Sequence, residues 1–580
     1  MNGKYRVLGR APEDARLRID RHTDKFFDIT NFDSLEEVEK RKEELKFNLR
    51  MAAGLYPWPD KTPLNIETET VGEFDGYTVK KICFESYPGF RSTGNLYLPS
   101  PLKEKHPAIL NVLGHFENQR LHREEKGDFP QQLANFARMG FICLITDMIG
   151  RIDNTQISHD YGSDEKDLWS SNGLGVQLWN NIRAMDVLCS MPEVDKDNIG
   201  VTGCSGGGSQ TLLLGLVDER VKAAAPINMI SLQMQGGCRC ENAAGLRINT
   251  DNTEMCAMLA PRPLFLAGST GDWTKYLETA ELPGVLEAYR QYGAEDMVEH
   301  FYQDAGHQYN AKTRHLVYSF FARHLMGFDP KWVEQEIKTD DLSEYTWLKG
   351  KVDISWQEQD KKFFEFHKKE RLEKISALSD DEKRKMLCHI TGIKETEYKI
   401  IKLKTEKADE ASIEKCVIYG QNGEKLPCVK ILPENWDGEK ICVMLGNDYP
   451  NEAEVEKLIE ENVAVISGDL FMTGEFEGSK RLNEEHRFFT TFNYTTDAYR
   501  AQDAALFIKA AKDTAKEINV RADGKAAAAA VCAIAICDGI KTAKIEKSAI
   551  EREDFAVPGI LAMGGIKEIL KLVKCKTETF

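Results

Sequence analysis

The stretch NIGVTGCSGGGSQTLLLGLV, residues 198–217, decides how this chain is read. An apolar run from Ile199 leads into Gly203, Cys204, Ser205, Gly206 and Gly207, and a second apolar run follows at once. A short buried strand, a turn of small residues and a helix fit that pattern. Glycines on both sides of Ser205 let the backbone bend sharply, so the serine hydroxyl is presented at the strand's end. The first turn of the following helix directs N–H groups, and the positive end of its dipole, at the same place. A phosphate cradle would want G-x-x-x-x-G-K-[ST], or G-x-G-x-x-G in the first strand–helix turn. This turn comes late and has no lysine. The apolar segments on either side exclude a flexible linker.

Outward from this turn, short apolar runs alternate with helical patterns. YTVKKICFES and STGNLYLP read as antiparallel strands from Tyr77 onward, and PAILNVLG, FICLITD, VKAAAPIN, RPLFLAGS and VEHFYQD as further strands. FPQQLANFARMG, GVQLWNNIRAMDVLCSM, VLEAYRQYG and TRHLVYSFFARHLMG read as the helices between and after them. Such alternation implies an α/β domain, a mostly parallel sheet with helices on both faces, over 77–330. Residues 1–76 are assigned to an N-terminal helical extension and the polar, charged stretch 331–395 to a helical connector. Beyond it the chain echoes itself. EKRK at 39–42 recurs at 382–385, LNVLGHFEN pairs with CVMLGNDYP, and FARMGFICLITD with LIEENVAVISGD. RAMD pairs with RAQD and NIGVTGCSGGG with NVRADGKAAAA. Five matches in one order predict a tandem repeat, with a second α/β domain over 396–580. Ser205 aligns there with Gly524, and no serine stands beside it, so the second domain is expected to be degenerate and non-catalytic.

Composition limits the partners. The 580 residues carry 76 Lys and Arg against 93 Asp and Glu, a net charge of −17. That sign repels nucleic acid and anionic membrane. No apolar run approaches the ~20 residues of a membrane span, and the charged start lacks the apolar core of a signal peptide. Fourteen cysteines in such a chain suggest reduced thiols and a cytoplasmic protein.

A serine hydroxyl needs a base, and the base an orienting carboxylate. Asp272 follows the strand RPLFLAGS and His307 follows VEHFYQD, each just past a strand's carboxyl end and in the order Ser, Asp, His. Taken singly, Asp272 could be a helix cap and His307 a packed or surface histidine; together they complete a catalytic triad. Among rivals, Asp147 also ends a strand, but its repeat partner Asp469 has no triad around it. Asp304 lies on the loop of His307 itself, His300 lies within a strand, and His315 and His324 fall on the closing helix. The N–H groups of Gly206 and His115 are expected to hold the oxyanion of the tetrahedral intermediate. Leu113 stands where the donor loop commonly has histidine. The long segment 231–258 could cap the serine, with Arg239 or Arg247 touching substrate; Trp273, beside the acid, could wall the pocket. Cys238 and Cys240 are too few for a zinc site, so neither metal nor cofactor is expected. Cys204, one place before the apex, is read as packing.

With these residues assembled, 80–327 resembles the α/β-hydrolase superfamily, and more narrowly the acetyl xylan esterase-like and dienelactone hydrolase-like proteins. RAMDVLCSMPEVDKDNIGVTGCSGGG, GGCRCENAAGLR, APRPLFLAGSTGDWT and GHQYN carry the narrower resemblance. It implies tandem α/β-hydrolase-like domains, the first a metal-free serine esterase. The implied substrates are acetyl or methyl esters on plant-glycan fragments. Glucuronoyl esterases usually have arginine directly after the serine; Gly206 stands there instead. A peptidase or amidase using the same triad, and a non-catalytic scaffold, are the competing readings. Self-association into a homo-oligomer is left open.

Overall fold

Neighbouring apolar residues at 109–110, 143–144 and 265–266 send their side chains to opposite faces of one sheet, because successive side chains alternate along a strand. Leu110, Leu144, Val201 and Leu266 enter one buried cluster, and Ile109, Cys143, Ile145 and Phe265 another. Both faces must therefore be covered, and these strands read as continuous apolar runs. The computed structural model describes residues 4–18, 21–337, 342–348, 356–446, 450–481, 486–551 and 554–580. The chain forms two units, Thr23–His367 and Met1–His22 with Lys368–Phe580.

In the first unit the strands are β1 (Glu67–Phe74), β2 (Tyr77–Tyr87), β3 (Phe90–Pro99), β4 (His106–Asn111), β5 (Ile142–Thr146), β6 (Val194–Cys204), β7 (Ala223–Ile227), β8 (Leu264–Ser269) and β9 (Val298–Gln303). Their order across the sheet is β1-β2-β3-β5-β4-β6-β7-β8-β9. β1 to β3 pair antiparallel with one another, and β3 antiparallel with β5; all later pairs are parallel. Helices α1 (Leu35–Ala52), α2 (Phe129–Met139), α3 (Gly173–Ser190), α4 (Gly206–Val217), α5 (Leu282–Tyr292) and α6 (Ala311–Phe321) complete the layers. α1, α3, α4 and α5 feed the first cluster, through residues such as Leu49, Leu178, Leu213 and Val285. α2 and α6 feed the second, through Phe136, Val317 and Phe321. Local chemistry sets the ends. The Asn172 side chain accepts from Gly175 N at 2.9 Å to start α3, and Asp128 accepts from Gln131 N at 2.9 Å to start α2. Gly140, at φ 104°, ends α2.

The second sheet contains β10 (Tyr398–Ala408), β11 (Ala411–Gly420), β12 (Lys425–Pro433), β13 (Lys440–Leu445), β14 (Ala464–Gly468), β15 (Glu517–Ala522), β16 (Ile540–Ile545) and β17 (Lys576–Thr579). Their order is β10-β11-β12-β14-β13-β15-β16-β17, which repeats the first sheet's order through eight positions. Among the described residues it has no counterpart of β9.

The units do not follow the sequence-drawn boundaries. A start at 77 cuts a hairpin, because Phe74 pairs with Tyr77 and β1 is already part of the sheet. β1 is an exposed, charged edge strand without an apolar pattern to reveal it. Residues 4–18 belong with the second unit. Tyr5 is buried in its core, and Arg16 forms a buried ion pair with Asp503 at 2.6 Å. The connector is divided as well. Helix α7 (Trp356–Ser376) contributes Phe363 to the first unit's aromatic core beside Phe90 and Tyr87, at ring distances of 4.7 and 5.2 Å. No helix of the described residues is long and apolar enough to cross a membrane.

Phe136 packs edge-on against Phe141, Tyr318 and Phe321. Phe136→Ala should cost about 3–5 kcal/mol, read as a lower denaturant midpoint; a loss under about 1 kcal/mol would show that the second face is not tightly packed.

Candidate active site

β6 ends at Cys204 and α4 begins at Gly206, so Ser205 is the single residue that turns the chain. It holds φ 61° and ψ −127°, a region that costs a non-glycine residue of order 1–3 kcal/mol. The surroundings impose it. Ser205 N donates to Ile227 O at 3.0 Å. A Cβ on either Gly203 or Gly207 would overlap the Val112 carbonyl oxygen, and one on Gly114 would overlap that of Cys204. The loop after β4 is thus pressed against the turn, and the ring edge of His115 would stand 3.0 Å from a Cβ on Gly206. Gly206 is the first residue of α4, and first-turn N–H groups of a helix have no acceptor within it. Cys204 is fully buried, and burial raises its thiol far above the ordinary range, as its reading as packing expects.

The acid lies one loop further along the carboxyl edge. The Asp272 side chain is buried and accepts from Asn228 Nδ2 at 2.9 Å, Thr274 Oγ1 at 2.8 Å and Trp273 N at 2.8 Å. Burial opposes its ionisation. Contact with His307 and the Thr274 and Asn228 donors outweigh that, and hold the carboxyl below the usual carboxylate range. His307 Nδ1 stands 3.3 Å from Asp272 Oδ1, close but out of line for a hydrogen bond. Such contacts often tighten only when substrate is bound. The two loops are tied together by Thr270 N to Gln303 O at 3.1 Å and Gly271 N to Ala305 O at 2.9 Å. The Trp273 ring lies 4.3 Å from the His307 ring.

The rival groups are engaged elsewhere. Asp147 is fully buried, paired with Arg120 and bonded by Thr93 Oγ1 at 2.7 Å. Asp304 accepts from Thr270 Oγ1 at 2.6 Å on the surface. His300 faces Glu278 at 3.5 Å, His324 faces Glu299 at 3.1 Å, and His315 Nε2 accepts from Glu334 N at 3.1 Å.

The segment 231–258 departs from expectation. Arg247 is fully buried, and its guanidinium bonds Glu241 O at 3.0 Å, Asn242 Oδ1 at 2.9 Å and Asn252 Oδ1 at 3.0 Å. It ties the segment together from inside and is not available to a substrate. Arg239 is exposed, with its side chain along Gly162. Cys238 and Cys240 are not alone. The ligand atoms of His115, His159, Cys238 and Cys240 all lie within 4.8 Å of one another.

Asn228 and Thr274, which hold the acid, and His159 went unnoticed in the sequence. Asn228 has a positive φ of 48° directly after β7, a strand-end placement that the motif VKAAAPIN carries but does not distinguish from an ordinary turn. In the second unit, Asp523 occupies the junction between β15 and α8 (Gly524–Ile536), with extended backbone at φ −137°. The left-handed residue there is Gly524, at φ 54°. A positive φ thus recurs at Gly524, the residue aligned with Ser205 in the sequence, without a serine. Gly524 N donates to Glu546 Oε2 at 2.5 Å.

Residues 60–230 match the family model for acetyl xylan esterase. YtaP of Bacillus subtilis (strain 168) is 22% identical over 283 residues, 46% of this chain and 95% of that protein. Among solved structures, the methylesterase BT1017 is 30% identical with a TM-score of 0.45, over 52% of this chain and 66% of its own. An acetyl xylan esterase from Paenibacillus sp. R4 is 17% identical with a TM-score of 0.35, over 52% and 97%.

If Asp272 sets the tautomer and orientation of His307, Asp272→Asn should keep the fold and lower kcat on an ester substrate by a factor on the order of 10⁴. A loss under about tenfold would remove Asp272 from the chemistry. Over residues 60–230 the chain is similar to the acetyl xylan esterase family, and the unit containing them is a carboxylic ester hydrolase with mostly parallel α/β architecture.

Proposed function

We propose that the chain is a serine carbohydrate esterase that removes acetyl or methyl esters from plant-glycan fragments. The observation that carries this reading is Ser205, held at positive φ between β6 and α4, on the same sheet edge as a histidine that faces a buried carboxylate with three donors. In this reading Nε2 of His307 takes the Ser205 proton as Oγ attacks the ester carbonyl, and returns it to the leaving alcohol. Asp272 stabilises the imidazolium formed in between. The N–H groups of Gly206 and His115 receive the oxyanion, an interaction worth on the order of 10²–10³ in rate per donor. Water, deprotonated by His307, then cleaves the acyl-enzyme to release the acid. Trp273, tilted against the His307 ring, walls the acyl side, and exposed Arg239 is the cap residue offered to a hydroxylated or acidic sugar.

All fourteen cysteines are free thiols, which suits a reducing compartment and work on imported fragments in the cytoplasm. The match to acetyl xylan esterase supports the ester class.

A panel of acetylated xylo-oligosaccharides, methyl-esterified uronides and an aryl acetate tests the proposal, with Ser205→Ala beside the unaltered protein. Hydrolysis of at least one sugar ester is expected, reduced by a factor on the order of 10⁴ or more in the variant. Equal rates for the two proteins would overturn the mechanism. Cleavage confined to aminoacyl anilides would replace the substrate class.

A further inference from the structure

Three separate loops of the first unit deliver nitrogen and sulfur donors to one point. His115 comes from the loop after β4, His159 from the long loop between β5 and α3, and Cys238 and Cys240 from the segment after β7. His115 Nε2 and His159 Nε2 are 3.1 Å apart, Cys238 Sγ is 3.3 Å from His159 Nε2, and Cys240 Sγ is 3.3 Å from His115 Nε2. A tetrahedral zinc ion with bonds of about 2.0–2.1 Å to nitrogen and about 2.3 Å to sulfur requires ligand-to-ligand edges of roughly 3.3–3.8 Å. The observed short edges lie within a few tenths of an ångström of that range.

The orientation of His159 points the same way. Its Nδ1 lies 3.0 Å from the Ile149 carbonyl oxygen. A carbonyl only accepts, so Nδ1 carries the proton and Nε2 turns its lone pair toward the other three groups. A ring N–H bonded to a carbonyl is the usual support of a metal-binding histidine. The two imidazoles stand nearly perpendicular, at 81°, with their Nε2 atoms facing. Glu241, the nearest carboxylate in the sequence, is engaged elsewhere: it accepts from Ser209 Oγ at 2.9 Å and Gly237 N at 3.2 Å.

We propose that His115, His159, Cys238 and Cys240 form a closed Cys₂His₂ site for a single zinc ion. Binding releases two thiol protons to solvent, so that Zn²⁺ with two thiolates and two neutral imidazoles is uncharged. Four protein ligands leave no position for water, which makes the ion structural and not hydrolytic. It clamps the segment 231–258 to the loop that carries His115, whose ring rests over Gly206. The inference about metal stands apart from the esterase reading. Its consequence, that the ion positions the His115 N–H beside Ser205, rests on that reading.

The test is metal content and cobalt spectroscopy on the full chain, purified without chelators. One zinc per chain is expected. After removal of zinc, one equivalent of Co²⁺ should give the strong visible band of tetrahedral cobalt and a thiolate-to-cobalt charge-transfer band. The Cys238→Ser/Cys240→Ser protein should lose both bands, and Cys256→Ser, a buried free thiol elsewhere in the unit, should keep them. A folded, reduced unaltered protein that shows no thiolate–cobalt band at several-fold excess Co²⁺ would overturn the proposal, whatever the variants do. So would bands unchanged in the double variant. These readouts do not depend on turnover, so loss of the esterase reading would leave the metal result intact.

Discussion

The first unit depends on one close contact between backbones. Residues 203–207 can pack against residues 112–114 only because Gly203, Gly207 and Gly114 lack a Cβ where the carbonyl oxygens of Val112 and Cys204 stand. β4 and β6 are neighbours in register, with Ile109 opposite Gly200 and Asn111 opposite Thr202. The loop after one strand is thereby set against the turn after the other. This contact places the N–H of the residue after Ser205 next to the loop of His115. It also leaves Ser205 no relaxed conformation, so the strain at φ 61° is a consequence of sheet packing that the glycines make tolerable.

The remaining groups come from parallel strands that end at the same edge, the general location of sites in such sheets. Asp272 is ionised there because donors meet it, not because water does. Three hydrogen bonds and the facing imidazole outweigh the cost of burial. Asp147 shows the opposite balance. It is also at a strand end and paired with Arg120, yet desolvation prevails and raises it to about 6. Position at the edge thus does not by itself set a carboxyl's ionisation; its partners decide.

The second unit keeps the same strand order with Asp523 and Gly524 at the turn where the first has Ser205. Its eight strands follow the first unit's order and directions. At the corresponding corner Asp523 is extended, and the Glu546 carboxylate accepts from Gly524 N at the head of α8. A carboxylate of the protein's own is therefore bonded at the amino end of this helix, where the dipole favours negative charge. The buried Arg16–Asp503 pair and Tyr5 show that the beginning of the chain completes this unit's packing, which no local pattern around residues 4–18 announces.

The strand runs, the glycine turn at Ser205 and the order Ser205, Asp272, His307 were legible in the sequence because they are local: periodicity, residue size and position after a strand are carried by a few neighbouring residues. The edge strand β1 was hidden by its charged, exposed composition, and the unit boundaries by contacts spanning hundreds of residues. Arg247 looked like a substrate ligand because an arginine's burial cannot be read from its neighbours; the fold surrounds it with Asn242, Asn252 and the Glu241 carbonyl. Cys238 and Cys240 looked too few for a metal for the same reason. Their two imidazole neighbours lie 79 and 125 residues away in the chain. The sequence by itself determined the α/β class and the serine turn, since backbone sterics act between adjacent residues. Only the tertiary structure decided which carboxylate is held ionised and which four side chains converge, because those depend on distances between loops that only the folded sheet sets.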